Sequence, residues 1–289
     1  MDRPMEGMRC VVTGATAGIG YETARILAER GGSVIGIGRD RERCAKAEAR
    51  IAEETGNRNA RFEAVDLSSQ TAIRTFTSKL LRESAPIDVL VNNAGIFSSR
   101  YRESPEGIEL QFAVNYLAGF LLTRLLIPLL RAAPRARVIG LSSGSHFAGS
   151  MHWKDLGLRR GYFGLKAYEQ SKLAVILFLN ELSRRLGEGS TISTVAVDPG
   201  LVRTEIGAKD AGFITRMVWR FRTRKGISPR ESAESIVDLA SDPGVEGKTG
   251  LYWKAREPLP SSTASKSIED AHRLWKLSEE LCGGNLPPV

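Results

Sequence analysis

The chain has 289 residues, of which 42% are hydrophobic and 26% charged, as in an ordinary soluble globular protein, and it is long enough for one large α/β domain. Its net charge of +8 comes from scattered arginines without any recognition motif, so no nucleic-acid partner is expected. That charge suits a solvated basic surface, a phosphorylated cofactor or an anionic membrane surface. Cys10, Cys44 and Cys282 lie far apart and the three histidines do not cluster, so no metal site is expected and a reducing, cytoplasmic compartment is. The short polar start does not read as a signal peptide or membrane anchor. The longest apolar stretch is broken by Asn115, Tyr116, Thr123 and Arg124, so no transmembrane segment is expected.

Strands and helices alternate along the chain. Residues 10–13 form an apolar run that reads as a buried strand, followed by a glycine-rich turn and a helix over 19–30. Strands are expected at 33–37, 61–65, 89–91, 137–141, 191–197 and 250–253. Helices are expected at 39–54, 68–83, 108–130, 167–186, 228–240 and 268–281, with Ser68 as a cap and Pro229 in a first turn. Residues 257–267 read as a polar surface loop. This alternation implies a doubly wound, parallel, seven-stranded Rossmann sheet covered on both faces, in a single α/β domain over residues 1–289. The cofactor part spans about 8–200 and a substrate lid about 205–226. Nothing in the sequence decides between a monomer and a homo-oligomer.

The glycine-rich and polar clusters all fall just after strands: Gly14 to Gly20, Arg39, Asp66, Asn92 to Gly95, Ser142-Ser143 and Pro199-Gly200. In an open parallel sheet these positions share the carboxyl edge, where ligands bind. Gly14 lets the chain turn, Gly18 lets backbone approach a pyrophosphate, and Gly20 lets helix lie close to strand. The helix N-terminus behind them offers free N–H groups to phosphate. Tyr168 and Lys172, four apart, share one helix face. A cation beside a phenol favours phenolate, so Tyr168 can serve as general acid toward a carbonyl or base toward a hydroxyl. Ser143 can hydrogen-bond the same substrate oxygen, or serve as a turn serine. Asn115, inside an apolar helix, is either a packing amide or one that holds a water near the lysine.

The motifs Thr13-Gly14-x3-Gly18-Ile19-Gly20, Asn92-Asn93-Ala94-Gly95, Asn115, Ser143, Tyr168-x3-Lys172 and Pro199-Gly200-x3-Thr204 together resemble the short-chain dehydrogenase/reductase family. The stretches around Gly36 to Asp40, Asn115 to Thr123, Ala167 to Ala174 and Ala271 to Trp275 resemble its retinol dehydrogenase-like branch. The resemblance implies a nicotinamide cofactor, read below from Arg39 as NADP(H), and hydride transfer to or from a small-molecule carbonyl or alcohol. It implies Tyr168 as proton donor and acceptor, and Lys172 as the residue that lowers its pKa and binds the nicotinamide ribose. It further implies Ser143 orienting the substrate oxygen, Asn115 holding a relay water and Thr204 at the carboxamide. The cofactor is expected along Gly14, Thr16, Ala17, Gly18, Ile19, Gly20, Arg39, Asp66, Leu67, Asn93, Ala94, Gly95, Tyr168, Lys172, Pro199, Gly200, Val202 and Thr204.

Arg39, just past the second strand, suits the 2′-phosphate of NADP, with Asp40 turned away to cap the next helix. Two other classes of function compete with the reductase: a non-catalytic NADP(H) sensor and a same-fold epimerase or dehydratase. The intact Tyr–Lys pair argues against the first, and the wide glycine spacing against the second. In 205–226, apolar Phe213, Met217 and Phe221 alternate with Arg216, Arg220 and Arg224. This amphipathic pattern reads either as a substrate-covering lid or as a weak membrane-surface contact.

Overall fold

A computed structural model describes residues 4–202, 226–245 and 247–289. Thr204 and nearly all of the expected lid lie outside the described residues. Eight strands form one sheet in the order β3-β2-β1-β4-β5-β6-β7-β8. They are β1 (Arg9–Thr13), β2 (Ser33–Gly38), β3 (Ala60–Ala64), β4 (Val89–Asn92), β5 (Ala136–Leu141), β6 (Ile192–Asp198), β7 (Leu251–Lys254) and β8 (Glu257–Leu259). Strands β1 to β7 pair in parallel, as expected from the alternation. The eighth strand runs antiparallel to β7, and it corrects the seven-stranded expectation. It is short, exposed and carries Pro258, which an edge strand tolerates because one row of its N–H groups faces away from the sheet.

The helices are α1 (Gly18–Glu29), α2 (Arg41–Thr55), α3 (Gln70–Glu83), α4 (Leu110–Arg131), α5 (Gly164–Leu186), α6 (Pro229–Ser241) and α7 (Ile268–Leu281). Two apolar cores lie on opposite faces of the sheet. One gathers residues of α3, α4, α5 and α7, including Phe120, Phe178 and Trp275. The other gathers residues of α1, α2 and α6, including Ile26, Leu27, Ile51 and Ile236. Among the described residues, α4 is the helix apolar and long enough to cross a membrane, yet 83% of its apolar stretch is buried inside the protein. Its hydrophobicity is that of a core element covered on all sides.

Local chemistry sets the helix ends. Asp40 caps α2, its Oδ1 accepting the Arg43 N–H at 2.8 Å, as the sequence suggested. The cap of α3 is Ser69, not Ser68, whose N–H and hydroxyl are instead engaged by Asp66 Oδ1 at 2.9 and 2.8 Å. Within α4, residues Ala113–Leu117 form a π-turn centred on Asn115. The expected polar loop 257–267 is more than a surface excursion. After β8 it turns inward, and Ser262 and Ser265 are buried.

The chain reverses its strand order between β1 and β4, so the turns after these two strands flank a crevice at the carboxyl edge. Every sequence cluster singled out above, apart from Thr204, ends at this edge.

Candidate active site

The glycine turn is shaped to admit backbone and nothing larger. Gly14 and Gly18 have φ of 67° and 56°, a left-handed conformation that costs glycine nothing. A Cβ on Gly20 would overlap both the Asn93 amide and the Gly14 carbonyl. The first turn of α1 has no side-chain cap, since Ala17 precedes it, so its N–H groups remain available to an anion. Ile19 is buried in the core, which leaves only its main chain for a ligand. Thr16 packs its methyl where a Cβ of Gly38 would stand.

This turn is fastened to the turn after β4. Thr13 Oγ1 accepts the N–H groups of Asn93 and Ala94, both at 2.9 Å. Asn93 Nδ2 donates back to the Thr13 carbonyl at 2.6 Å. Thr13 was not singled out by sequence reasoning as a site residue. Asn93 holds the glycine turn in place with its side chain. Gly95 brings the backbone close to two side chains, since a Cβ there would lie 3.5 Å from Lys172 Nζ and 3.6 Å from Asn115 Oδ1.

Arg39 is exposed just past β2, with no ion-pair partner among the described residues, while Asp40 is engaged as a cap. Asp66 is half-buried at the end of the third strand's loop, and Leu67 packs against the core beneath it. After β6, Gly200 has φ of 78° and its N–H donates to Asp198 Oδ1 at 2.9 Å. Val202 is buried and bridges to Ile227, so both ends of residues 203–225 are stitched together beside the crevice. Pro199 is half-buried at the same turn.

The chemical centre lies on α5. Tyr168 is half-buried, with the Phe97 ring edge-on at 6.0 Å. Burial pushes its phenol up to about 12, against the Ser143 hydroxyl, which favours phenolate; the Asp198 carboxylate adds to the rise. Lys172 is buried, donates from Nζ to the Leu141 carbonyl at 2.9 Å and lies 5.5 Å from the Tyr168 ring centroid. Burial pulls its ammonium down to about 8, with Asp198 opposing. The expected depression of the phenol by the lysine is therefore not what this arrangement gives. The loss of hydration dominates, and the Lys172 charge is aimed at a carbonyl. The result is a phenol that keeps its proton at neutral pH, the state a proton donor needs.

Asn115 is buried, and both of its amide hydrogens are used. Oδ1 accepts from Ile96 N–H at 2.7 Å, and Nδ2 donates to the Ile96 carbonyl and to Ser171 Oγ, both at 3.0 Å. The side chain thus braces the turn after β4 against α5. Ser143 sits at the end of β5, its Oγ accepting the Ser145 N–H at 3.2 Å.

Two residues of this centre were missed. Asp198 is a buried carboxylate whose charge bears on both Tyr168 and Lys172. His146 is fully buried against the Ser143 turn. Each also has a partner from a distant segment, Ser262 for His146 and Tyr252 for Asp198, which no local pattern signals.

A parallel sheet with a glycine turn at its switch point and a Tyr–Lys–Ser centre at the same edge defines a dinucleotide-dependent oxidoreductase of the Rossmann type. The family model described as short chain dehydrogenase matches residues 9–212, and the chain belongs to that family. It is 41% identical over 283 residues to mouse retinol dehydrogenase 13, covering 96% of this chain and 84% of that one. Among solved structures it resembles a protein from Mycobacterium Paratuberculosis, with a TM-score of 0.76 and 30% identity, covering 98% of this chain and 96% of that one. A short chain dehydrogenase from Escherichia coli CFT073, solved with NADPH, shares the fold at a TM-score of 0.70 and 24% identity, covering 88% of this chain and 99% of that one.

Proposed function

We propose that the protein is an NADP(H)-dependent oxidoreductase that transfers a hydride between the nicotinamide and a carbonyl or alcohol, reducing a lipophilic aldehyde or ketone. The observation that carries this reading is geometric: the Tyr168 phenol on α5, with the Ser143 hydroxyl beside it and Lys172 Nζ 5.5 Å from its ring one helical turn later, beside a glycine turn with no room for a Cβ. Tyr168 gives its proton to the carbonyl oxygen as that oxygen gains charge, and Ser143 orients the oxygen. Lys172 holds positive charge beside the phenol and offers its ammonium to a ribose. The cofactor, when bound, supplies the hydride.

Preference for NADP rests on the exposed Arg39 guanidinium and on Asp40, whose side chain is already committed to the α2 cap. The NADPH in the Escherichia coli structure is consistent with this preference, although the likeness there is of fold alone. A lipophilic substrate is supported by Phe147, Phe163 and Leu201, which are 59%, 56% and 52% exposed and follow or precede the catalytic turns. The retinol named for the mouse relative is a molecule of this class. We place the enzyme in a reducing compartment, the cytoplasm, because its three cysteines are buried and free.

The test is loss of NADPH absorbance with a panel of long-chain and aromatic aldehydes and ketones, repeated with NADH. Turnover with several members of the panel and a preference for NADPH are expected. Binding of NADPH without turnover of any carbonyl would overturn the reading in favour of a cofactor sensor. A better rate with NADH would overturn the role given to Arg39.

A further inference from the structure

His146 lies three residues past Ser143 and has no exposed surface. Its Nδ1 is 2.7 Å from the Ser143 carbonyl oxygen, and its Nε2 is 3.1 Å from the Ser262 main-chain nitrogen. A carbonyl can only accept and a main-chain N–H can only donate. The contacts therefore require the neutral imidazole with its proton on Nδ1. An imidazolium would set one N–H against another. The ring lies 4.2 Å from Phe147 and 4.8 Å from Tyr252, centroid to centroid. Tyr252 Oη donates to Asp198 Oδ2 at 3.0 Å, and Asp198 Oδ1 holds the Gly200 N–H. One connected set of contacts thus joins the turn after β5, the turn after β6, strand β7 and the loop after β8.

We infer that His146 is a positioning residue for the reaction. In its Nδ1–H tautomer it locks the Ser143 turn to the Ser262 loop, and so fixes where the Ser143 hydroxyl stands relative to Tyr168 and the substrate oxygen. This inference rests on the reading of Tyr168 and Ser143 given above. Both ring nitrogens are taken by main chain, so His146 itself touches no reacting atom.

The groups facing it are Asp198 of β6, whose carboxylate lies 3.6 Å from Lys254 of β7, then Tyr252 of β7, and Tyr168 of α5 beyond Ser143. Burial outweighs the pull of Asp198 and holds the imidazole below the usual histidine value. The sign follows. The neutral network is intact above the ordinary histidine range and is lost as pH falls through the lowered folded value. Protonation then unlinks Ser262 and slows turnover.

The test uses His146→Asn and His146→Gln in the full chain, with kcat, NADPH affinity and pH profiles measured beside the wild type. The Asn amide nitrogen replaces Nδ1 and keeps the bond to Ser143. The Gln oxygen replaces Nε2 and keeps only the bond to Ser262. Each variant breaks the lock, so kcat is expected to fall about tenfold in both, with NADPH affinity unchanged and the acid limb lost, as the loss of one buried hydrogen bond implies. Equal kcat in both variants and the wild type would overturn the inference. So would an acid limb that persists in His146→Asn, or a loss of turnover and NADPH affinity together in both. If His146→Gln fails to fold, the acid limb of His146→Asn decides alone. A wild type that reduces no carbonyl overturns the reading of the site and this inference with it. An active wild type with indistinguishable variants overturns the inference only.

Discussion

The two halves of the sheet's carboxyl edge are built differently. On the β1–β4 side the site is made of backbone. Glycines at 14, 18 and 20 take the turn, and the side chains of Thr13 and Asn93, at the ends of neighbouring strands, clamp it by hydrogen bonds to main chain. On the β5–β8 side the site is made of side chains held by remote partners. His146 is tied to Ser262, and Asp198 to Tyr252, across separations of 116 and 54 residues. The first half presents free N–H groups to an anion, a task that any dinucleotide sets alike. The second half sets the placement and proton affinity of Tyr168 and Lys172, the residues to which the proposed function gives the chemistry. Binding and reaction should therefore come apart when one half is altered and the other left alone.

Apart from removal of the phenol itself, the largest effect is expected from Lys172→Ala. It belongs to both halves, near Gly95 on one side and Tyr168 on the other. Its loss should reduce kcat by about a hundredfold or more and weaken NADPH binding as well, since general acid–base catalysis is worth about 10²–10⁴-fold. An effect on only one of the two parameters would break the comparison at this residue.

Gly20→Ala tests the backbone half. The added Cβ overlaps Asn93 and Gly14, and forced overpacking costs about 1–3 kcal/mol. NADPH affinity and the melting temperature should both fall. A variant that binds NADPH normally would show that the turn has room to spare.

Arg39→Ala should raise the KM for NADPH by about tenfold, since a hydrogen bond to a charged group contributes about 1.5–3 kcal/mol. The KM for NADH should be unchanged, and so should kcat. A parallel rise in both KM values would show that Arg39 supports the loop rather than the 2′-phosphate.

The smallest effect is expected from pH. Lys172 has its value lowered on folding from an ordinary 10.5 to about 8. Its ammonium is thus present below about pH 8 and lost above it, and kcat/KM for NADPH should decline on that alkaline side. Stability moves the other way. Between about pH 8 and 10.5 the unfolded chain still binds the proton that the folded one has released, so the folded state gains as pH rises through that window. A kcat/KM flat to pH 10 would place the lysine's value back in its ordinary range.

The same contrast governs what the sequence could reveal. Parallel strands buried on both faces are continuous apolar runs, so β1, β2, β4 and β5 were visible as such, whereas β3 carries Arg61 and Glu63 and is only partly buried. Strand β8 was not visible, because Glu257–Leu259 has three exposed residues and a proline. The Ser69 cap was displaced by one position because Ser68 offers the same hydroxyl, and only the placement of Asp66 distinguishes the two. The glycine turn was legible because its function is a local backbone shape that few residues can adopt. Tyr168 and Lys172 were legible as a pair on one helix face. Their proton affinities were not, since these follow from burial and from Asp198, a residue of another strand. Asn115 was found, but its bonds to Ile96 and Ser171 were not, since no helical period signals such contacts. Thr204 and the 205–225 segment lie outside the described residues.

The central claim is that the β5–β8 half performs a proton transfer from Tyr168 while the β1–β4 half holds the cofactor. The most direct measurement is Tyr168→Phe, followed in one cuvette by NADPH fluorescence and by NADPH consumption with an aldehyde that the wild type reduces. Loss of the phenolic oxygen removes the proton donor and leaves the glycine turn untouched. Fluorescence enhancement on binding should match that of the wild type, with turnover reduced by about a hundredfold or more. Turnover near that of the wild type would contradict the account.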